Sequence, residues 1–336
     1  MKRYLINFLK FAVPAAIIAW LLASVPADDY RAFHARPKNW PLLGLALLVV
    51  LSAVSVTIVR WFFLVRALGL RFRLIDAFRL GYLGYLLNFV SVGSVGGDLF
   101  KAIFIAREQP GRRAEAVATV LVDRIVGMYG LVLLTSGVIC LGGIPNADRD
   151  VVAICRLTLV VAVIGLAGIA VWLIPGSTSG RWWRWFTDLP KVGPILRRLL
   201  DAAEIYRSRW PIVAGTLVIS MFSHALFTLS VFLIAHAMFT HVPSLREHLI
   251  IVPLGMVAGS LPMTPAGFGA FEFAVEKLYQ MIPADPLNDV AGILVALVYR
   301  LLTILVAMIG IVVYWTSQRD MQAALQEAER ESHESE

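Results

Sequence analysis

The segment 116–134, AVATVLVDRIVGMYGLVLL, is apolar almost throughout and carries Arg124 near its middle. A second apolar segment of the same kind, 291–310, reads AGILVALVYRLLTILVAMIG and carries Arg300. A charged side chain at bilayer depth costs roughly 2.5 to 3.5 kcal/mol on insertion scales, so such residues face a protein interior or a pathway. Two arginines at matching places therefore indicate a duplicated membrane protein whose cationic groups face an anionic substrate.

The composition supports a membrane location for most of the chain. Of its 336 residues 59% are hydrophobic and 16% are charged, and the mean hydropathy is +0.76. These values are typical of a polytopic membrane protein and exclude an ordinary soluble enzyme. Six spans of the length that a bilayer requires are predicted at 5–25, 41–65, 116–142, 151–174, 211–239 and 288–316.

The basic residues predict the orientation of these spans. With a cytoplasmic N-terminus, twenty Lys and Arg residues lie on the cytoplasmic side and six lie outside, as the positive-inside rule requires. This bias holds only if 76–110 and 246–282 each enter and leave on one side. Both segments are apolar but are broken, at Gly93 to Gly97 and at Pro262 to Gly269, so both are predicted to be re-entrant hairpins of broken helix.

The order of these elements predicts two repeats of opposite orientation, 41–142 and 211–316, linked by helix 151–174. Three crossings separate equivalent points, and an odd number inverts the second copy. Inverted repeats with broken helices are typical of secondary transporters, whose sites lie at the midplane. We therefore expect one all-α membrane domain, 1–316, with a cytoplasmic interfacial segment at 176–210 and a polar cytoplasmic tail at 317–336.

Three stretches resemble signature motifs of the YbhN-like flippase family, which is related to the membrane domain of lysyl-phosphatidylglycerol synthases. They are VGSVGGDLFKA, ATVLVDRIVGMYGL and LPMTPAGFGAFE. Lys101 stands where arginine is common in the family, and Ala266 and Ala270 replace more usual residues. The positions that carry the resemblance are Gly96, Gly97, Asp98, Lys101, Asp123, Arg124, Gly267, Gly269 and Glu272.

The resemblance implies lipid translocation between leaflets. The moved lipid would be an anionic or aminoacylated phospholipid, or a polyprenyl-phosphate-linked lipid. The segment 176–210 is too short for an aminoacyl transferase, so synthesis is not expected and the chain is not predicted to be an enzyme. The predicted substrate-binding residues are Arg124, Arg300, Asp98, Lys101, Gly96, Gly97, Gly267, Gly269, Glu272 and Asp123.

The residues themselves favour binding of a phosphorylated head group. A half-helix is predicted to begin near Gly97 and another near Gly269, and the free N–H groups and positive dipole of each attract anions. The two arginines would add planar, always-charged donors suited to phosphate. Asp98 and Glu272 would gate the site, repel the substrate, pair with these arginines or accept a cationic head group.

Structural explanations compete with several of these assignments. Arg124 is equally well explained as a buried partner of Asp98 or Asp123, and Asp123 is better explained as a partner to another helix. Close helix packing accounts for glycines such as Gly84 but poorly for the dense GSVGG and PAGFG. For Glu276 an exposed position at the outer rim is favoured.

Other sites and partners find little support. The histidines lack metal-ligand spacing, there is no nucleophile motif, and no cofactor is expected. Cys140 and Cys155 are expected to form neither a disulfide nor a metal site. The basic, aromatic stretch 181–210 indicates an amphipathic interfacial helix rather than nucleic-acid binding.

We expect a multi-pass protein of the bacterial inner membrane with both termini cytoplasmic. A polytopic lipid-modifying transferase and a non-transporting accessory subunit stay as alternatives, with oligomeric state and energy coupling open.

Overall fold

A computed structural model describes residues 37–90, 96–109, 111–143, 148–174, 193–260, 269–282 and 292–316. Within these ranges every regular element is a helix and there is no strand, which confirms the predicted all-α class. In chain order the helices are α1 (Trp40–Ala67), α2 (Leu74–Val90), α3 (Gly96–Arg107), α4 (Arg113–Gly142), α5 (Arg149–Leu173), α6 (Gly193–Ser208), α7 (Trp210–Met238), α8 (Leu245–Ser260), α9 (Ala270–Met281), α10 (Gly292–Ala307) and α11 (Ile309–Thr316).

Five segments are long and apolar enough to cross a membrane: α1, α4, α5, α7 and the combined α10 and α11. They match five of the six predicted spans, and the sixth, 5–25, lies outside the described residues. A turn at Met308 separates α10 from α11 within the predicted span 288–316. The protein is therefore a multi-pass membrane protein.

Helices α1 and α7 pack along each other and make the most extensive helix–helix contact in the described part of the chain. Both begin with the dipeptide Trp-Pro, at 40–41 and at 210–211. Proline is tolerated there because backbone N–H groups in the first turn have no hydrogen-bond acceptor within the helix. The Asn39 side chain accepts a hydrogen bond from the Leu42 N–H at 3.2 Å and caps α1. The shared start supports the predicted equivalence of these two helices.

The helix contacts of the first half recur in the second half. Helix α1 packs against α2 and α4, as α7 packs against α8 and α10, and α3 packs against α4, as α9 packs against α10. Contacts between the halves are also paired, because α4 packs against α7 and α8 while α10 packs against α1 and α2. The contacts thus follow a two-fold pattern, and the inverted orientation across the membrane stays a prediction.

Both broken segments fold back on themselves, with α2 packed against α3 and α8 packed against α9. In the second pair, the His248 side chain contacts Tyr279 and Gly259 lies against Phe271, so these arms are antiparallel. The breaks themselves, 91–95 and 261–268, lie outside the described residues. Helix α3 begins at Gly96 and α9 follows Gly269, within one residue of the predicted starts.

The two arms of the first hairpin cross at a pair of glycines. A Cβ atom on Gly97 would lie 1.9 Å from the Gly84 carbonyl oxygen and 2.7 Å from Asn88 Oδ1. Such a distance between a side chain and backbone is impossible, so only glycine allows the arms to approach this closely. The expectation that close packing explains the GSVGG glycines poorly is therefore wrong for Gly97.

Helix α6 lies within the predicted interfacial segment 176–210. Its Ala202 and Tyr206 are buried, whereas Asp201 and Glu204 are exposed. The Tyr206 hydroxyl donates to the Leu64 carbonyl oxygen at 3.0 Å. This amphipathic helix is therefore attached to the C-terminal end of α1.

The predicted topology has a direct test by cysteine labelling, in a background with Cys140 and Cys155 replaced by serine. Cysteines at 188 and 325 are expected to react only from the cytoplasmic side, and cysteines at 146 and 285 only from outside. Labelling of positions 104 and 188 from opposite sides would mean that the first hairpin crosses fully, and the inverted repeat would then be wrong.

Candidate functional site

The first candidate cluster joins the hairpin arm α3 to the middle of α4. Arg124 Nη1 donates to Asp98 Oδ2 at 2.9 Å, and Lys101 Nζ lies 3.8 Å from Asp98 Oδ1. Lys101 also lies over the Trp61 ring, 5.3 Å from its centroid. One carboxylate thus lies between two cations.

The second candidate cluster joins the hairpin arm α9 to α10. Arg300 Nε donates to Glu272 Oε1 at 2.7 Å, while Glu272 Oε2 accepts from the Gly269 N–H at 2.7 Å. The Arg300 guanidinium lies over the Phe271 ring, 5.6 Å from its centroid. Glu272 therefore connects the arginine to the N-terminus of the half-helix.

The two clusters occupy equivalent places in the two halves. Asp98 and Glu272 are each the third residue of a second hairpin arm, and each pairs with the arginine of the following span. The sequence left four roles open for these carboxylates. The structure shows one of them, pairing with the arginines. Each arginine pairs with its own carboxylate, so the two arginines predicted to face the substrate lie in two ion-paired clusters.

The exposure of the two pairs differs. The side chains of Arg124 and Asp98 are 30% and 22% exposed, whereas those of Arg300 and Glu272 are 11% and 1% exposed. A buried ion pair gains strength from the low dielectric around it, but it also loses more hydration than an exposed pair. The first cluster is therefore accessible, and the second is closed by the protein around it.

The half-helix N-termini are already capped by side chains. The Gly97 N–H donates to Asn88 Oδ1 at 2.8 Å, and the Gly269 N–H donates to Glu272. Gly269 has a φ of +88°, a conformation that favours glycine. Sequence reasoning missed Asn88, although an amide inside the apolar run YLLNFV was a usable signal.

The site prediction needs a correction at Asp123, which pairs with Arg60 and belongs to neither cluster. Its Oδ1 accepts from Arg60 Nε at 2.8 Å, and both side chains are largely buried. The alternative that Asp123 is a partner to another helix is thus confirmed. Arg60 was missed, although it lies within the apolar span 41–65 and carries the same intramembrane charge signal as Arg124.

The expectation of an exposed rim position for Glu276 is wrong. Glu276 is partly buried, and its Oε2 accepts from the Ile293 N–H at 2.7 Å. A carboxylate is favourable beside the free N–H groups at a helix N-terminus. Glu276 therefore caps the start of α10 and holds α9 against it.

Six of the ten predicted residues form the two clusters in the structure. Asp98, Lys101 and Arg124 form one cluster, and Gly269, Glu272 and Arg300 form the other. Gly96 and Gly97 begin the half-helix that carries Asp98, while Gly267 lies outside the described residues. Across the described part of the chain, no group of three His, Cys, Asp or Glu residues is placed to hold a metal ion.

Comparison with known proteins supplies the family. No curated protein matches the chain. The family described as "Lysylphosphatidylglycerol synthase TM region" matches residues 7–310. This range includes both hairpins and both arginine–carboxylate clusters. Because the match covers most of the chain, the protein belongs to the lysylphosphatidylglycerol synthase transmembrane-region family.

Proposed function

We propose that this protein is a lipid flippase and not an enzyme. It moves an anionic or aminoacylated phospholipid, or a polyprenyl-phosphate-linked lipid, between the leaflets of a bacterial cytoplasmic membrane. The observation that carries the proposal is the equivalent pair of arginine–carboxylate clusters, each at the start of a half-helix. A family associated with lysylphosphatidylglycerol synthesis supports a phospholipid substrate. The positive-inside bias supports cytoplasmic termini.

The donors around Glu272 are those that a lipid phosphate would use. One carboxylate oxygen accepts from the guanidinium of Arg300 and the other from the Gly269 N–H. A phosphodiester also presents two oxygens of shared negative charge, and guanidinium and backbone N–H groups at helix N-termini are its common partners. The carboxylate thus occupies the position that we propose for the phosphate during transport, and the two anions would exchange.

The first cluster is the better receptor for a head group in this conformation. Arg124 and Lys101 both lie beside Asp98, so this cluster offers a phosphodiester two cationic groups. The second cluster is more deeply buried. Alternating access then consists of opening one arginine–carboxylate pair while the other is closed, as expected for inverted repeats around a midplane site.

Arg124→Gln tests this proposal at the accessible cluster. We expect the rate of lipid movement to fall about tenfold or more, the loss expected for a charge-assisted hydrogen bond to substrate. Arg124→Lys is also expected to be poor, because an ammonium lacks the planar fork of guanidinium. The measurement is dithionite quenching of a trace fluorescent phosphatidylglycerol in liposomes of phosphatidylethanolamine and phosphatidylglycerol, with native mass spectrometry of retained lipid.

A neutral double variant separates substrate binding from structural pairing. If Arg124 serves only to neutralise Asp98, the variant Asp98→Asn/Arg124→Gln should regain the lipid movement that Arg124→Gln lost. We expect it to stay inactive while it purifies normally. Arg156→Gln, at an exposed arginine on α5, is the matched control and should transport normally. Restored transport in the double variant would reject the substrate role of Arg124.

A further inference from the structure

A separate group of buried and partly buried polar residues lies where α1, α4 and α7 meet. Arg60 pairs with Asp123 and also donates from Nη1 to Ser220 Oγ at 3.0 Å. Ser220 Oγ donates to the Gly127 carbonyl oxygen at 3.2 Å, and His224 Nε2 lies 3.0 Å from the same oxygen. This group, the Arg60 cluster, connects helices of the first half to α7 of the second half.

His224 has one ring nitrogen without a partner. A carbonyl oxygen only accepts, so Nε2 carries the hydrogen and donates to Gly127, which leaves a lone pair on Nδ1. In the described part of the chain that Nδ1 atom is buried and makes no hydrogen bond. The hydroxyl of Thr228, one turn along α7, is also buried and unpaired there. Such a group is unfavourable unless something else occupies the position, so Nδ1 is an open acceptor for a proton.

The Arg60 cluster is not required by the repeated fold. Aligning Arg124 with Arg300 places Tyr299 opposite Asp123, and α7 contains no Asp, Glu, Lys or Arg. In the second half, α7 and α10 are equivalent to α1 and α4, and they therefore pack together without a buried ion pair between them. An ionisable cluster that only one half needs, at membrane depth, indicates a functional role.

We propose that His224 is a proton-carrying site that couples lipid transport to a proton gradient, an inference that rests on the proposed flippase function. Nδ1 takes one proton from water on one side of the membrane and releases it to water on the other side. Only the Nδ1–H bond forms and breaks, and nothing else is consumed. A lipid with one negative charge and one proton would then cross together as a neutral pair.

The charges around His224 give protonation a mechanical effect. Arg60 faces it from α1, Asp123 lies beyond Arg60 on α4, and Tyr206 of α6 is near Asp123. Because Arg60 and Asp123 cancel, a proton on His224 leaves the cluster positive and repels the guanidinium. That repulsion weakens the bond from Arg60 to Ser220, which joins α1 to α7 across the two halves. Movement of one half against the other is how inverted-repeat transporters alternate access.

The ionisable groups on the other neighbours of α7 have different partners. On α8, His248 bonds to Ser244 and Tyr279, and on α10, Arg300 pairs with Glu272. Neither group has a described bond to His224. Its protonation therefore acts on the Arg60 cluster.

The test compares lipid movement with and without a pH gradient, using the full chain in the liposomes described above. For one proton per lipid, the equilibrium leaflet ratio of a trace fluorescent phosphatidylglycerol should change about tenfold per pH unit. His224→Gln is expected to remove this dependence, so that the ratio is the same with and without the gradient. His236→Gln, at an exposed histidine on the same helix, is the matched control and should keep it.

Two further measurements on the unchanged protein keep the proposal testable if His224→Gln fails to fold. A pH dye inside the liposomes should report proton movement with the lipid, and a membrane potential set with valinomycin should leave the leaflet ratio unchanged. A leaflet ratio that does not depend on the pH gradient, or that depends on the membrane potential, would overturn proton coupling and leave the flippase function intact. Absence of all lipid movement would overturn the flippase function and the coupling with it.

Discussion

Replacing Arg300 with glutamine is expected to abolish lipid movement and to lower the free energy of unfolding by about 3 to 5 kcal/mol. The reason is the burial of its partner, because Glu272 is 1% exposed and would be left as an unpaired charge. Lipid quenching in liposomes measures the first effect, and thermal unfolding in detergent measures the second. Adding Arg124→Gln should make transport little worse, because both arginines act in one cycle.

The variant Glu272→Gln/Arg300→Gln separates the two effects of the Arg300 change. It removes both charges, and the new amide oxygen can still accept from the Gly269 N–H, so most of the lost stability should return. Transport should not return, because no guanidinium is present to hold a phosphate. Arg156→Gln is again the matched control for loss of a cation. Normal transport by folded Arg300→Gln protein would show that Arg300 is not needed to bind the substrate.

Gly97→Ala is expected to disrupt the first hairpin and to abolish transport. The new Cβ atom would lie 1.9 Å from the Gly84 carbonyl oxygen, and backbone moves far less easily than a side chain. The two arms must separate by roughly 1 Å, at a cost at or above the usual 1 to 3 kcal/mol for overpacking. Asp98, the next residue, would then lose its alignment with Arg124. A lower melting temperature and loss of lipid quenching are the expected results.

Gly137→Ala provides the matched control, because a Cβ atom there meets nothing within 4 Å. Alanine is the better helix former by about 1 kcal/mol, so this variant should be as stable as the unchanged protein or slightly more so. Wild-type melting and transport in Gly97→Ala would show that the arms do not cross as closely as described. Loss of transport at normal stability would instead favour a direct role for Gly97 beside the head group.

The sequence identified most residues of the candidate clusters, but it did not predict which of them pair. Both arginines stood out because each is a charge within an apolar run, and both carboxylates stood out because each follows a glycine-rich break. The sequence does not predict that Asp98 pairs with Arg124 and Asp123 with Arg60, because either carboxylate could form an ion pair with either arginine. Arg60 carried the same signal as Arg124 and was passed over because no broken segment precedes its span.

Five membrane spans and the helix ends on either side of both breaks were determined by the sequence alone, because they depend on local properties. A bilayer acts as a uniform apolar solvent, so about 20 apolar residues suffice to predict a span, and glycine and proline act on the backbone where they stand. The choice of ion-pair partners, the crossing of Gly84 and Gly97 and the unpaired nitrogen of His224 were decided only by the tertiary structure. Each depends on distances between helices far apart in the chain, which the packing of the whole bundle sets.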